Sequence, residues 1–366
     1  MKFRTLLFLI LAKITFAQVP LQDPFPVGKI TLKVIDEDQH PIPEAQLKIW
    51  CYETPQKVDV LRKVKTNTEG KFVYERRVWE EITIGVDKKN YYKNVTGMKF
   101  TGIKDGKWQP WDQQITVMLA KKINPVPMYA IKELRTELPR ATPTGFDLER
   151  HDWVVPEGER AKPTPEEESR VPITGMITRG LGVKTDLFFS VERTGDAKNG
   201  TAKLKISFPR PGDGIIPVKN YPPTRLFREA PPDGYLPEFV WEDEWKTFEW
   251  DAEAPLFEKN KRDEEASLFE RNKIKKREEN PPPVAFYFRV RTVLDEKGQV
   301  VRALYGKITE PLHWGVKSVV WKDSTETACL AFGYYLNPDG TRNLEFDPAK
   351  NLFRDVTVDN QRPQSP

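Results

Sequence analysis

The chain is poor in the side chains that carry most metal and nucleophilic chemistry: among 366 residues it has three histidines, His40, His151 and His313, and two cysteines, Cys51 and Cys329. None stands at metal-ligand spacing, and two cysteines so far apart cannot complete a zinc set, so no metal and no cofactor is expected. The Gly-x-Ser-x-Gly elbow of serine hydrolases and the Gly-Lys-Ser/Thr loop that cradles phosphates are also missing. Net charge is only +4, with basic and acidic residues interspersed. That argues against a nucleic-acid surface, because nothing concentrates positive potential. Beyond residue 18 no apolar run approaches a bilayer-spanning length, so no transmembrane segment is expected.

Cys51 shares parity with Leu47 and Ile49, and Cys329 lies in the apolar run Ala328 to Phe332. Both are read as buried free thiols acting as small hydrophobes, with a disulfide as the alternative that export would allow.

What is present begins with residues 1–17. Lys2 and Arg4 make a positive start, Thr5 to Ala12 an apolar run, and Thr15-Phe16-Ala17 a small-x-small exit. This reads as a cleaved signal peptide, too short to span and followed at once by Val19-Pro20. No cysteine at the exit could take a lipid anchor. Removing Lys2, Arg4 and Lys13 leaves 55 of the 58 basic residues against 54 acidic ones. The mature chain is expected to be soluble, and secreted or periplasmic.

The length suggests two domains, and 32 prolines with many aromatic and β-branched residues suggest strands. In residues 26–121, Ile30, Leu32 and Val34 alternate with polar partners, as do Ile82, Ile84 and Val86, and Ile115, Val117 and Leu119. That is the period of half-buried strands. Turn chemistry at Asp36 to Pro43 and Asn67-Thr68-Glu69-Gly70 separates them, giving a small β-sandwich.

The order Gly28-Lys29-Ile30, Val34-Ile35-Asp36, Pro41-Ile42-Pro43, Ala45, Leu47, then Thr66 to Phe72, resembles the carboxypeptidase regulatory-like domain. The resemblance implies a transthyretin-like sandwich serving as an accessory module of exported bacterial proteins, without catalysis of its own. The family usually has glycine where this chain has Gln39 and Glu44, which predicts a looser turn.

Residues 122–144 are proline-rich and charged, and read as an extended linker. Strand signals return in residues 145–356, read as a larger antiparallel sandwich. Ala202, Leu204, Ile206 and Phe208 line one face of a strand; Val284 to Leu294 and Gln299 to Thr309 flank the turn Asp295-Glu296-Lys297-Gly298. Thr327 to Leu336 is apolar on both parities and should be a central, doubly covered strand, closed by Asn337-Pro338-Asp339-Gly340. Oxygen-bearing side chains recur at Asn337, Asp339, Thr341, Asn343, Glu345 and Asp347, as in a calcium loop, but Arg342 stands where an EF-type loop needs glycine. The hairpin reading is preferred. Residues 255–279, with the near-duplicated Leu256-Phe257 and Leu268-Phe269 pairs out of helical phase, read as a solvated helical or disordered insertion, and 357–366 as a disordered tail. The segments Gly145 to Leu148, Asp152 to Val154 and Phe332 to Pro348 are similar to a family of exported bacterial proteins that carry the regulatory-like domain in front. That similarity implies architecture and export, and no activity.

The segment Trp241 to Asp251 mixes three tryptophans, Trp241, Trp245 and Trp250, with five carboxylates. Indoles beside carboxylates suit sugar stacking or a glycosidase acid pair, while strand parity alone would place the aromatics in the core. Trp250 is assigned to the core, and Trp241 and Trp245 are placed nearer water. Trp108 and Trp111, around Gln109-Pro110, form a second candidate. The resulting expectation is a non-enzymatic exported binding protein whose partner is an extracellular glycan or a surface protein. The alternative is a polysaccharide-active enzyme using the carboxylates of 241–251. N-terminal sequencing of the exported protein should begin near Gln18 or Val19; material still starting at Met1 would refute the signal-peptide reading.

Overall fold

The computed structural model describes residues 25–53, 59–138, 143–156, 178–195, 199–219, 226–246, 283–309, 312–317, 327–354, 356 and 361–366. The signal segment, the insertion 255–279 and Trp250 lie outside them. The described residues form 21 strands and no α-helix, so the protein is all-β. No helix among them is long and apolar enough to cross a membrane. The chain divides into two compact units, residues 1–88 with 94–117, and residues 89–93 with 118–366.

In the first unit β1 (Val27–Ile35), β4 (Lys71–Arg77), β7 (Gly102–Lys104), β8 (Lys107–Gln109) and β9 (Gln113–Met118) make one sheet. Its order is β4-β1-β8-β7, with β9 also on β1. β2 (Gln46–Tyr52), β3 (Asp59–Lys65), β5 (Glu81–Asp87) and β6 (Asn94–Lys99) make the other, in the order β3-β2-β5-β6. The alternating residues close the core: Ile30, Leu32, Val34, Leu47, Ile49, Ile82, Ile84 and Val86 are all buried. Cys51 is a buried free thiol. The turn after β1 is closed, contrary to the looser one expected. Asp36 N–H donates to His40 O at 2.9 Å, and Asp36 Oδ1 accepts the N–H groups of Asp38 and His40, each at 2.9 Å. Gln39 and Glu44 keep it closed by adopting left-handed φ values of 68° and 55°.

In the second unit β10 (Val126–Glu137), β15 (Gly214–Val218), β17 (Ala285–Leu294), β18 (Val300–Ile308), β19 (His313–Lys317), β20 (Thr327–Asn337) and β21 (Phe346–Asn351) form one sheet. Its order is β15-β17-β18-β20-β10-β21, with β19 also on β20. The facing sheet runs β12-β11-β13-β14-β16, from β11 (Thr144–Asp147), β12 (Asp152–Val154), β13 (Leu187–Gly195), β14 (Asn199–Ser207) and β16 (Glu238–Lys246). Phe146, Trp153, Phe189, Leu204 and Ile206 from the second sheet meet Phe286, Phe288, Leu330, Phe332 and Tyr334 from the first in one core. The opposite face of the first sheet carries another cluster, with Met128, Ala130, Tyr305, Tyr335, Leu344 and Phe346. β20 is therefore covered on both sides, as its double apolar parity requires.

Three expectations need correction. Residues 126–137 of the expected linker are a strand of the large sheet, with Met128, Ala130 and Ile131 fully buried. Pro127 is tolerated because the parallel pairing with β21 shifts register between Val126 and Met128, where no ladder donor is needed. The sheets are also not wholly antiparallel, since β1 pairs with β8, and β10 with β21, in parallel. Finally, within the tail expected to be disordered, Gln361 is buried and Ser365 O accepts the Tyr335 hydroxyl at 2.8 Å. The two predicted turns match: Gly298 N–H donates to Asp295 O at 3.0 Å, and Asp339 N–H to Asn337 Oδ1 at 3.0 Å.

His151, at left-handed φ of 58°, is enclosed by the rings of Phe146, Tyr334 and Phe353. Tyr334 Oη donates to Leu148 O at 2.6 Å, so the 3.0 Å bond between Tyr334 Oη and His151 Nδ1 has the imidazole as donor. Nε2 then carries a buried lone pair with no partner among the described residues. Burial pushes the pKa of this imidazole down to about 3. The unfolded chain takes up this proton near pH 6.5, so the stabilisation is complete above that pH and drains away as pH falls toward 3. Urea unfolding should show a loss of about 2 kcal/mol between roughly pH 7 and 5. His151→Asn, which tolerates a left-handed backbone, should flatten that slope, and an unchanged slope would refute the assignment.

Candidate functional site

β16 settles part of the Trp241 segment. It pairs with β14 so that Glu242 lies opposite Lys203 and Trp241 opposite Leu204. Phe239 and Trp241 pack against the main core, while Glu238 and Glu242 stand on the wet face, 2.6 Å from Lys205 and 3.5 Å from Lys203. Trp241, expected nearer water, is thus half-buried against the core. The reason is strand parity: successive side chains point to opposite faces, so an acidic neighbour does not bring an indole into solvent. Along the same ladder Asp243 shares the face of Trp241, while Glu242 and Glu244 lie on the other. Trp245 lies opposite Gly200 in the same ladder, but its side chain, like all of Trp250, is outside the described residues.

The second unit buries several charged groups that sequence reasoning missed. Arg291, at φ 56° where β17 shifts register against β18, aims its guanidinium inward. It bonds Asp186 through Nε at 2.7 Å and Nη2 at 2.9 Å, and Glu149 at 2.6 Å. Burial raises the Asp186 carboxyl pKa, against the pull of Arg291. Asp147 and Asp152 accept backbone N–H groups from both 149–153 and 179–184. Lys307, fully buried, donates to Phe227 O at 2.9 Å and Leu344 O at 2.7 Å above the Tyr335 ring; burial drives its pKa well down. Glu345 accepts Ile123 N–H and Asn124 N–H at 2.8 Å and pairs with Arg228 at 3.0 Å. Their bonding capacity goes into holding backbone segments and internal ion pairs, which makes them fastenings. The only sequence signal was the density of short acceptors in Asp147 to Asp152.

The run considered for calcium is spent the same way: Asn337 Nδ2 donates to Thr341 O and Asn343 O, and Asp339 and Asn343 cap their own turns. Asp36, Asp38 and His40 also lie close together, yet Asp36 Oδ1 is committed to the turn it closes.

Trp108 and Trp111 diverge. Trp108 donates Nε1–H to Val78 O at 2.7 Å and stacks on Phe100 with centroids 5.7 Å apart, so it belongs to the packing of the first unit. Trp111 remains partly exposed, with Lys107 Nζ 4.7 Å and Lys29 Nζ 5.8 Å from its ring centroid. Its loop is held on β1: Asp112 Oδ1 accepts the Thr31 hydroxyl at 2.7 Å, and Asp112 N–H donates to Lys29 O at 3.1 Å. A surface indole with two ammonium groups over its ring is therefore pre-positioned.

No family model matches the chain, and no curated protein matches it significantly. Parts of it are similar to solved structures of 1,2-dioxygenases. These include 3-chlorocatechol 1,2-dioxygenase from Rhodococcus opacus 1CP, at 12% identity over 28% of this chain and 63% of that one, with a TM-score of 0.22. Catechol 1,2-dioxygenase from Pseudomonas arvilla C-1 gives 12%, 28%, 55% and 0.22. Hydroxyquinol 1,2-dioxygenase from Pseudomonas putida DLL-E4 gives 11%, 28%, 58% and 0.21. The chain spans less than two thirds of the length of each of these proteins, and at such scores the likeness bears on neither fold nor activity.

Proposed function

We propose that this is a non-enzymatic binding protein that works outside the cytoplasm, with its first unit as a recognition module for extracellular glycans. The observation that carries the reading is Trp111, a partly exposed indole held on β1 with two ammonium groups over its ring. Its ring suits the C–H face of a sugar, and Lys107 beside it suits a carboxylate or sulfate on that sugar, while Lys29 is paired with Glu75 at 3.4 Å, so the favoured ligand is an acidic glycan. The signal-like residues 1–17 support export. The left-handed backbone at Gln39 and Glu44, where the regulatory-like family usually carries glycine, supports the resemblance to that accessory module.

A glycan array probed with the mature protein should select uronate-bearing or sulfated sugars over neutral ones. Trp111→Ala should stay folded, since the ring is partly exposed, and lose about tenfold in affinity, as expected for one stacking contact with its cations. An unchanged affinity in that variant, or selection of neutral sugars alone, would remove the surface from consideration.

A further inference from the structure

The outer face of the sheet β3-β2-β5-β6 departs from the pattern of the strands that build it. Ile49, Cys51, Ile82 and Ile84 are buried, so positions of the other parity face solvent, where an antiparallel sheet carries polar side chains. Lys48, Lys63 and Lys65 conform, but Trp50, Leu61 and Val95 do not, at 39%, 48% and 64% exposed. The ladders bring the exceptions together. Leu61, Trp50, Thr83 and Gly97 form one row across the four strands, and Lys63, Lys48, Gly85 and Val95 the next.

Trp50 has a seat on this face. A Cβ on Gly85 would lie 3.0 Å from Cζ3 and 3.2 Å from Cη2 of the indole, so the six-membered ring occupies the space that a side chain at 85 would fill. That brings the ring into the row of the two lysines. Gly97, where a Cβ would meet only Ile82 O at 3.5 Å, leaves the floor beside it bare. An indole can serve simply to shield a strand glycine, but shielding calls for neither the leucine and valine that extend the patch nor the lysines beside it.

Lys48 and Lys63 stand directly opposite each other, an arrangement that costs stability through like-charge repulsion unless an anion lies between them. The cations around them are committed, Lys65 to Glu44 at 2.8 Å and Arg62 to Glu53, whereas Lys48 and Lys63 have no ion pair among the described residues. The acids of this face, Asp87, Asp59 and Glu81, occupy its two outer rows, opposite Gln46, Tyr52 and Lys99. Three apolar side chains are too few for the roughly 800 Å² per partner of a stable protein interface. One planar ring beside two unpaired ammonium groups fits a smaller unit, itself a ring that carries an anion.

We propose that this face is a second surface for acidic sugars, with the Trp50 ring against the C–H face of a uronate or sulfated residue and Lys48 and Lys63 on its carboxylate or sulfate. The proposal rests on the glycan reading of the first unit but not on Trp111, which is held on β1 in the other sheet. With an indole on each sheet, the unit can hold two glycan segments at once. The test is calorimetric titration of the mature protein with hexagalacturonate and with a heparin hexasaccharide, cellohexaose serving as the neutral control. Two sites per chain are expected for an acidic hexamer, and Trp50→Ala or Trp111→Ala should each weaken one of them about tenfold and leave the other. Lys48→Gln with Lys63→Gln should weaken the Trp50 site as much with no loss of melting temperature, because it also removes the repulsion. A single site weakened by Trp111→Ala and untouched by Trp50→Ala and by the lysine pair would overturn the proposal and leave the Trp111 reading standing; the converse would overturn only the latter. Equal binding of cellohexaose, or no binding of either acidic hexamer up to about 1 mM, would overturn both. Circular dichroism checks Trp50→Ala; should it misfold, the lysine pair decides the question.

Discussion

The strand Thr327–Asn337 constrains the second unit more than any other element, because it is apolar on both faces. Phe332, Tyr334 and Leu336 face the main core and Tyr335 the opposite cluster. A strand of this kind must lie between two covering layers. The five-stranded sheet supplies one, through Phe146, Trp153 and Phe189. The other consists of short stretches around Ala230 and Leu344 laid across the outer face. Each large buried ring contributes about 3 to 5 kcal/mol that its truncation would lose.

Covering a sheet with short irregular stretches leaves backbone groups without ladder partners, and buried polar groups must be bonded. The charged residues of this unit meet that need. Lys307 reaches two carbonyls, Glu345 two amides, and Asp147 and Asp152 organise the loops on either side of β12. A reader looking for catalysis would gather these residues, yet their bonds are turned inward. The first unit has a smaller set of its own: Arg62 holds both oxygens of Glu53, which also accepts the Tyr74 hydroxyl.

All-β architecture, the alternating strands of both units and the Asp295 and Asn337 turns were legible in the sequence, because period and turn residues are local properties. The strand at 126–137 was not. Proline and charge gave the segment a linker's composition, and only its partners β20 and β21 make it central. Local pattern likewise misplaced Trp241: the acids beside it suggested water, whereas alternation puts adjacent residues on opposite faces.

The sequence by itself determined the fold class, the spacing of the turns and the burial parity of most strands, since each follows from residues within a few positions of one another. It could not say which neighbours the strands would find. That the strands on either side of Asn67–Gly70 join different sheets, that Arg291 reaches Asp186, and that Lys29 and Lys107 lie over the Trp111 ring are outcomes of distant residues meeting. They were decided when the sheets paired and packed, because pairing, not local preference, sets which edges are left open and which charges meet.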